Sequence, residues 1–395
     1  MEPVDVLIVG GGLIGLSLGA ALADSDLRVV ILDHGSKPEV DPPGPKHRDG
    51  LVLQSSIRPR VSAIAKSQWT FLTRIGARLS APSYSRMEVW DGEGTGTVSF
   101  SAEDLGEAEL GYIVENDRLC ATLIDQLHTK GTVTVLWDAP LVEIKKVDDG
   151  YVIDTENGKW HTTLLVGADG GRSQVRKMAN LSTVSWSYDQ HGVVAAVETE
   201  KSHGGAARQW FTSGGIVAFL PLADSHLCSI VLSCENAEAI LAMDESEVAE
   251  LLYDLTEGEL GKIVAVDQRL AFPLIQQHSF RYVRQNLALI GDAAHTIHPL
   301  AGQGANIGLA DAEALSLVLK QARLEGRSTG DIQLLNSFQR ARRSDNVMTA
   351  ALMEVFFRGF ASQNPAVRWL RNKSMNVVND SGFLKTLVTR YATLR

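Results

Sequence analysis

Glycines and one aspartate near the start of the chain have the spacing of a phosphate-binding turn. The letters GGGLIG occupy residues 10–15, between a short apolar run and a helical pattern. Gly10 permits a tight turn, Gly12 lets the backbone approach a pyrophosphate, and Gly15 allows the helix to pack closely on the sheet. Asp33 ends the next apolar run, where a carboxylate can accept hydrogen bonds from ribose hydroxyls. The pattern predicts dinucleotide binding at a helix N-terminus but does not separate FAD from NAD.

A second glycine-rich turn lies in the middle of the chain. The letters VGADGGRSQVR occupy residues 166–176 and begin at the end of an apolar run. The turn carries an acid, Asp169, beside Gly170 and is followed by Ser173 and Arg176. An ordinary strand, turn and helix with Ser173 as the helix cap would explain the same letters. The residues alone leave a functional and a purely structural role open.

The third motif is the longest, GDAAHTIHPLAGQGAN at residues 291–306. Asp292 ends an apolar run and is placed to bind a ribityl or ribose hydroxyl. Gly302 and Gly304 would bring bare backbone close to a flat ring, just before a helix that starts at about Asn306. The N-terminus of that helix would stabilise negative charge near N1 and O2 of a reduced flavin. We expect the two histidines of the motif mainly to shape the loop.

The apolar pattern predicts the elements that position these motifs. Short runs at 164–167 and 287–290 have the character of buried parallel strands, whereas 86–101 and 186–234 are rich in antiparallel-strand patterns. We therefore expect an α/β fold in which a Rossmann-like FAD-binding domain is interleaved with an antiparallel-sheet substrate domain and followed by a C-terminal helical extension. The expected boundaries are 1–75, 111–182 and 281–340 for the FAD-binding domain, 76–110 and 183–280 for the substrate domain, and 341–395 for the C-terminal helical region.

Two segments within these boundaries have a distinct pattern. Residues 36–59 are rich in proline and charge, which predicts an exposed loop of unknown role. Residues 62–75 have a helical pattern, and the tail from Leu309 onward is mostly helical as well.

Composition excludes several classes of protein. The 395 residues are 45% hydrophobic and 21% charged, and the net charge of -10 argues against a nucleic-acid-binding surface. The three cysteines, Cys120, Cys228 and Cys234, form no CxxC pair, so we expect reduced, packed thiols and no metal site. No signal peptide or run of roughly 18 apolar residues is present, which favours the cytoplasm.

The C-terminal tail is basic on an otherwise acidic protein. From Arg340 to the end there are ten lysines and arginines against three acidic residues. This excess favours an acidic partner or peripheral contact with the inner face of a membrane, although a solvated helical face would explain it equally well. The tail mixes cations with large apolar residues, of which we expect about half to pack on the flavin domain: Arg342, Arg343, Phe356, Phe357, Phe360, Trp369 and Leu370.

The three motifs in this order resemble the flavoprotein monooxygenases of the para-hydroxybenzoate hydroxylase type. The letters HPLAGQG at 298–304, with Asn306 and Asp311, narrow the resemblance to the FAD-dependent hydroxylases of ubiquinone biosynthesis. Further similar segments are RVSAI at 60–64, MEVWD at 87–91, GYIVEN at 111–116 and FLPL at 219–222. The resemblance covers nearly the whole chain.

The resemblance implies FAD as the cofactor and assigns residues to it. Gly10, Gly12, Gly15 and Asp33 would hold the adenosine half, although glutamate is common at the position of Asp33. Arg60 would lie near the cofactor, and Asp169 with Gly170 would lie in a motif that contacts FAD and the nicotinamide donor. Asp292 would bind the ribityl chain, and Asn306 would follow the flavin loop. The residues expected beside the isoalloxazine are Pro299, Leu300, Ala301, Gly302, Gln303 and Gly304. No protein base is assigned.

The resemblance also implies a reaction. Reduced FAD would react with O2 to form a C4a-hydroperoxide, which transfers one oxygen atom to the ring of a polyprenylated phenol. NAD(P)H or a reductase would supply the electrons, and a complex of ubiquinone-biosynthesis proteins is an expected partner.

Two parts of the chain favour different ring positions. The segments 87–91 and 226–231 favour C5 hydroxylation, the 2-polyprenylphenol 6-hydroxylase reaction, which we take as the prediction. The region of Arg342, Arg343, Asp345 and Asn346 is more similar to the hydroxylase that acts later, on demethoxyubiquinol. A flavin reductase or oxidase, or a scaffold subunit, is the alternative from another class.

Overall fold

The computed structural model describes residues 2–38, 46–48, 51–53, 61–92, 94–212, 214–297, 303–362, 364, 369, 371–375, 379 and 381. Its strands are β1 (Glu2–Val9), β2 (Val29–Leu32), β3 (Lys46–Arg48), β4 (Leu51–Leu53), β5 (Val61–Ala65), β6 (Ser83–Tyr84), β7 (Arg86–Asp91), β8 (Thr97–Ser101), β9 (Gly111–Glu115), β10 (Val133–Leu136), β11 (Leu141–Val147), β12 (Gly150–Thr155), β13 (Gly158–Gly167), β14 (Thr183–Thr199), β15 (Ala206–Thr212), β16 (Gly215–Pro221), β17 (Leu227–Cys234), β18 (Ile263–Val266), β19 (Leu270–Ser279), β20 (Val283–Arg284), β21 (Leu287–Leu289) and β22 (His295–Thr296). Its helices are α1 (Leu13–Leu22), α2 (Lys66–Arg74), α3 (Asn116–Lys130), α4 (Gln174–Met178), α5 (Ala237–Ala242), α6 (Glu245–Leu255), α7 (Gln303–Leu324) and α8 (Ile332–Ala361).

A largely parallel sheet carries the three glycine-rich turns. Its strand order is β10-β2-β1-β13-β12-β11, and β21 adds to β13 in parallel. Because β1, β2, β13 and β21 run in the same direction, the turns that follow them meet at one edge of the sheet. The leucine-rich faces of α1, α3 and α7 cover the sheet, as the fully buried Leu16, Leu123 and Leu315 illustrate. The predicted strand, helix and strand at the start of the chain and the predicted α/β class are confirmed.

A second sheet has the order β22-β19-β14-β17-β16-β15-β7-β8. Neighbouring strands are antiparallel, as predicted, except that β15 pairs with β7 in parallel. Alternation gives the sheet two different faces. One face, which includes Val217 and Phe219, packs on α5 and α6, while the other presents Ile216, Ala218 and Leu220 to a cavity.

Two sequence predictions need correction. Residues 62–65 were expected to begin a helix, but they belong to β5, because their apolar backbone pairs with β9. The helix α2 begins only at Lys66. The predicted exposed loop also contains structure, since β3 and β4 form an antiparallel pair within it.

The C-terminal helices return to both sheets. Phe360 at the end of α8 stacks on Phe211 of β15, with ring centroids 3.8 Å apart. Farther along, Arg371 Nη2 donates a hydrogen bond to the Asp91 carboxylate at 2.6 Å, and its Nη1 donates to the carbonyl of Phe360 at 2.7 Å. Trp369 is 62% exposed, whereas the side chains of Phe356, Phe357 and Leu370 lie outside the described residues. Within the described ranges, no helix is long and apolar enough to cross a membrane.

Candidate active site

The first glycine-rich turn is held by close backbone contacts. A Cβ at Gly10, where φ is +117°, would lie 2.3 Å from the carbonyl oxygen of Ala168, and one at Gly15 would lie 1.9 Å from that of Gly10. Both positions therefore require glycine. A Cβ at Gly12 would meet nothing within 4 Å, and no side chain caps the N-terminus of α1 there. The N–H groups of this helix end thus face open space, which fits the pyrophosphate of FAD.

Asp33 holds this turn in place. Its Oδ2 accepts a hydrogen bond from the N–H of Gly11 at 2.6 Å, and its Oδ1 accepts one from Gly35 at 2.7 Å. A carboxylate has about four acceptor positions, so capacity remains for ribose hydroxyls. The Asp33 side chain, which is shorter than the glutamate common at this position, reaches the N–H groups of the turn. Its contact with the ribose stays a prediction.

The second turn has a structural part and an open part. The Asp169 carboxylate accepts hydrogen bonds from Ser173 Oγ at 2.5 Å and from the N–H of Gln174 at 2.7 Å. Ser173 in turn caps α4, so the structural interpretation of this serine is correct. Gly170, with φ of +76°, faces the cavity, and a Cβ there would meet nothing within 4 Å. Because the Asp169 carboxylate is already hydrogen-bonded within the turn, a contact with the cofactor would come from the neighbouring Gly170 and not from a free carboxylate.

The third motif reaches the same edge of the sheet. Asp292 lies in a 3-10 turn, Gly291–Ala293, and lines the cavity together with Gly304 at the start of α7. The side chain of Asn306 bridges α7 and β5: its Oδ1 accepts from the N–H of Ala65 at 2.8 Å and its Nδ2 donates to the carbonyl of Ala63 at 2.7 Å. Asn306 thus positions β5, a wall of the cavity, and a direct contact with FAD stays a prediction.

Several predicted cofactor residues lie outside the described ranges. They are Arg60, Pro299, Leu300, Ala301 and Gly302, and the side chain of Gln303 is likewise outside them.

A buried polar network lies behind the third motif. Asp311, fully buried on α7, accepts from the N–H of Gly291 at 3.1 Å and contacts His295 Nε2 at 2.5 Å and Arg342 Nε at 2.8 Å. Burial pushes the pKa of the Asp311 carboxyl upward, but His295 and then Arg342 outweigh it and hold the pKa below its usual value. His295 thus belongs to a buried network behind the motif, whereas His298, the other histidine of the motif, lies outside the described residues. Nothing in the sequence predicted that Asp311 and Arg342 contact each other.

The three motifs converge on a cavity of about 450 Å³ between the two sheets. On one side lie the glycine turns, with Gly12, Ala168 and Asp292. On the other lies the cavity-facing wall of the second sheet, whose residues alternate along β14 to β17 and β19: Val194, Ala207, Gln209, Ile216, Ala218, Leu220, Ser229, Val231, Ser233 and Phe272. Gly192 leaves room for the Phe272 ring, since a Cβ there would come within 2.9 Å of the ring. The shape fits a flat ring between cofactor and sheet.

Acid–base groups are few on the described lining of this cavity. Burial raises the pKa of Tyr84 to about 12, so its hydroxyl stays protonated and serves only as a hydrogen-bonding group near neutral pH. Histidine is absent from the described lining residues. The described lining supports positioning of a ring and exclusion of water.

A larger groove of about 880 Å³ lies elsewhere, between the β11–β12 hairpin and α8. Its lining includes Lys146, Arg281 and Arg284 but none of the glycine-rich turns. We assign the active site to the smaller cavity because the three motifs meet there.

Comparison with protein families agrees with this assignment. Residues 86–352 match the FAD binding domain family, and residues 8–47 match the NAD(P)-binding Rossmann-like domain. The chain is 33% identical over 400 residues to the 3-demethoxyubiquinol 3-hydroxylase of Escherichia coli, covering 99% of this chain and 98% of the relative. It is 33% identical to the ubiquinone hydroxylase UbiL of Rhodospirillum rubrum, over 98% of this chain and 89% of the relative. It is 30% identical to the human ubiquinone biosynthesis monooxygenase COQ6, over 98% of this chain and 92% of the relative.

Solved structures share the fold. The p-nitrophenol 4-monooxygenase PnpA of Pseudomonas putida superposes with a TM-score of 0.79 at 21% identity, covering 100% of this chain and 99% of that one. PqsL of Pseudomonas aeruginosa, in complex with 2-aminobenzoylacetate, superposes with a TM-score of 0.78 at 19% identity, covering 96% of this chain and 100% of that one. At these identities the likeness concerns the fold alone.

Proposed function

This chain belongs to the FAD-dependent hydroxylases of ubiquinone biosynthesis, and we propose that it adds one oxygen atom of O2 to the ring of a polyprenylated phenol or quinol. It is an FAD-dependent aromatic monooxygenase. The observation that carries the proposed substrate class is the cavity of about 450 Å³, which joins the cofactor turns to a largely apolar wall. A flat, electron-rich ring fits that space.

Of the two ring positions, we propose the later step, hydroxylation of demethoxyubiquinol. The E. coli relative named for that reaction matches this chain from end to end. Of the two segments that favoured the C5 step, 87–91 contributes Met87 to the described cavity lining and 226–231 contributes Ser229 and Val231, so the lining does not decide between the steps. The C5 step becomes the second candidate on the strength of the relative's reaction, and the position of the new hydroxyl group distinguishes the two.

The residues proposed to hold FAD follow the three turns. Gly10, Gly12 and Gly15 would admit the pyrophosphate, and Asp33 the ribose of the adenosine half. Gly170, Asp292 and Gly304 would contact the other end. Bound FAD supplies the electron transfer and the activation of O2. The protein residues orient the ring and keep water out of the cavity, which favours oxygen transfer over wasteful release of reduced oxygen.

The electrons come from reduced nicotinamide or from a reductase, since the reaction consumes O2 and two electrons. We further propose peripheral contact with an anionic membrane, where a polyprenylated substrate dissolves. Support comes from α8, on which Met348 is 55% and Val355 is 70% exposed at a spacing that puts them on one face. Sedimentation with phosphatidylglycerol vesicles, compared with phosphatidylcholine vesicles, tests this contact.

The proposed function is tested on purified holoenzyme. The FAD is reduced without oxygen, then mixed with oxygenated buffer and short-prenyl forms of demethoxyubiquinol or 2-polyprenylphenol. We expect a hydroxylated demethoxyubiquinol as the main product by mass spectrometry. Hydroxylation of the phenol alone would favour the C5 step. Reoxidation without any oxygenated product, even with membranes and pathway proteins restored, would instead support a reductase, oxidase or scaffold.

A further inference from the structure

A single carboxamide stands out on the cavity wall. Gln209 of β15 is 5% exposed and lines the cavity, yet its side chain has no hydrogen-bond partner among the residues that the structure describes. Its cross-strand neighbour is Ala218, which lies opposite Val231 on the next strand. Because the amide borders the cavity, water or a bound ring can supply the hydrogen-bond partner that the described protein residues do not.

A second polar group lies one row away. Ser229 of β17 is 1% exposed, and its Oγ has no hydrogen-bond partner among the described residues. It faces the same cavity, because Ser229, Val231 and Ser233 alternate with Cys228, Ile230 and Leu232 of the opposite face. Like Gln209, it offers a neutral donor and acceptor.

The charged neighbour of Gln209 points away from this wall. Arg208 pairs in register with Glu88 of β7, and its Nε lies 2.9 Å from Oε2 of Glu88. Its Nη1 also donates to the carbonyl of His203 at 2.7 Å. Alternation places the Arg208 side chain on the face opposite Gln209, although Arg208 is itself among the residues that line the cavity. Its guanidinium is already paired with Glu88, so the uncharged groups of Gln209 and Ser229 remain for the ring.

We propose that Gln209 is a specificity-determining residue that binds the uncharged oxygen substituents of the ring, with Ser229 as the second contact. The amide oxygen accepts a bond from a ring hydroxyl, and the amide N–H donates to a neighbouring ether, hydroxyl or quinone oxygen. Such a wall favours a ring without a carboxylate, because a buried carboxylate would leave its solvation and would find the nearby cation, Arg208, already paired with Glu88. This inference rests on the proposed function, since it places the substrate ring in this cavity.

Ring binding to the holoenzyme tests the inference without turnover. The probes are three short-prenyl rings: a phenol, the same phenol with a ring carboxylate, and the prenylbenzene without oxygen. Each is titrated anaerobically against oxidised FAD enzyme, and binding is followed by the change in flavin absorbance. We expect the phenol to bind at least about tenfold more tightly than the carboxylated ring. Equal or tighter binding of the carboxylated ring overturns the preference, whether or not any ring is hydroxylated.

Substitutions assign the effect to Gln209. Gln209→Met keeps the length of the side chain and removes both hydrogen bonds, so phenol binding should weaken roughly tenfold while prenylbenzene binding stays the same. A loss that is equal for both rings would mean a merely structural role. Gln209→Lys should instead improve binding of the carboxylated ring, relative to the phenol, by about tenfold or more.

A matched control lies on the same sheet. Gln190 of β14 also has a buried amide oxygen without a partner among the described residues, but it is not part of the described cavity lining. Gln190→Met should leave the binding of all three rings unchanged. Ser229→Ala should weaken phenol binding roughly threefold, and an unchanged affinity would remove Ser229 from the inference.

Discussion

The Asp311 carboxylate accepts the N–H of Gly291 at 3.1 Å, which fixes the turn that carries Asp292 to the middle of helix α7. The same carboxylate contacts Arg342 of α8. A C-terminal helix and the flavin-side turn thus share one buried anion. The position of Asp292 depends on a residue that never faces the cavity.

Asp311→Asn should destabilise the protein and loosen FAD. The substitution removes the charge that pairs with His295 and Arg342, and breaking a buried ion pair costs about 3–5 kcal/mol. Denaturant unfolding and the FAD content of purified protein measure the two effects. Glu313→Gln, which removes an exposed ion pair with Arg74, should cost less than about 1 kcal/mol. Similar losses in the two variants would contradict the role of Asp311.

Two glycine substitutions should separate folding from cofactor binding. Gly15→Ala places a Cβ 1.9 Å from a backbone oxygen, so the turn cannot form and soluble protein should be scarce. Gly12→Ala has open space in the apoprotein, so its melting temperature should change little. The affinity for FAD, measured by fluorescence titration, should fall by about tenfold or more because the methyl group enters the space of the pyrophosphate. Normal FAD affinity of Gly12→Ala would refute the proposed pyrophosphate position.

Asn306→Ala should remove the hydrogen bonds that hold β5, which lines the cavity, to helix α7. It leaves the N–H of Ala65 and the carbonyl of Ala63 without their partners, at a cost of about 2–3 kcal/mol. We expect a raised KM for the ring substrate in steady-state assays, together with a lower stability. Asn306→Asp keeps the acceptor for Ala65 but sets a carboxylate oxygen against the carbonyl of Ala63 at a buried site, so its KM should rise at least as much. A near-normal KM for the aspartate variant would argue against these contacts.

Filling the cavity should block the substrate and spare the cofactor. Ala218→Phe adds a ring in the middle of the wall, in a space of about 450 Å³ that the substrate needs. The variant should retain FAD and a near-normal melting temperature while hydroxylation falls by roughly 100-fold or more. Chromatography of the product and the flavin spectrum provide the two measurements. Unchanged turnover would mean that the ring binds elsewhere.

Acid should weaken the fold through His278. Burial, followed by the charges of His295 and Arg343, lowers the pKa of His278 to about 4. Below about pH 6.5 His278 is protonated in the unfolded chain but stays neutral in the folded protein. The free energy of unfolding is therefore highest above that pH and falls as the pH drops toward 4. The loss should be about 2–3 kcal/mol in urea unfolding curves at pH 7 and pH 4. His278→Gln should remove this part of the pH dependence, and an equally steep fall in the variant would assign it to other groups.

The three glycine-rich turns were predictable from sequence, because their motifs are local. GGGLIG, the acid at Asp33 and the strand before Asp292 each encode a turn within a few residues. The substrate wall was not predictable, because it depends on the register of strands distant in the chain. Gln209 faces the cavity only because β15 pairs with β7 and β16 in a particular register. A single letter in an apolar run does not reveal such a register.

The buried network escaped prediction for the same reason. Asp311 and Arg342 lie on successive helices, and their contact depends on how α8 folds back on α7. The error at residues 62–65 has a related cause, since β5 forms through pairing with β9, which lies about fifty residues later. Local helical pattern was outweighed by a tertiary partner.

The central strand β13 also has a bearing on synthesis. Its neighbours at Leu165 to Gly167 are β1, near the start of the chain, and β21, which ends at Leu289. While the ribosome translates the residues between β13 and β21, Leu165–Gly167 of β13 has no partner on the side that β21 later occupies, although β12 already covers Gly158–Thr162. A nascent chain of this kind exposes an apolar strand edge for many seconds and is a natural client for chaperones until β21 emerges.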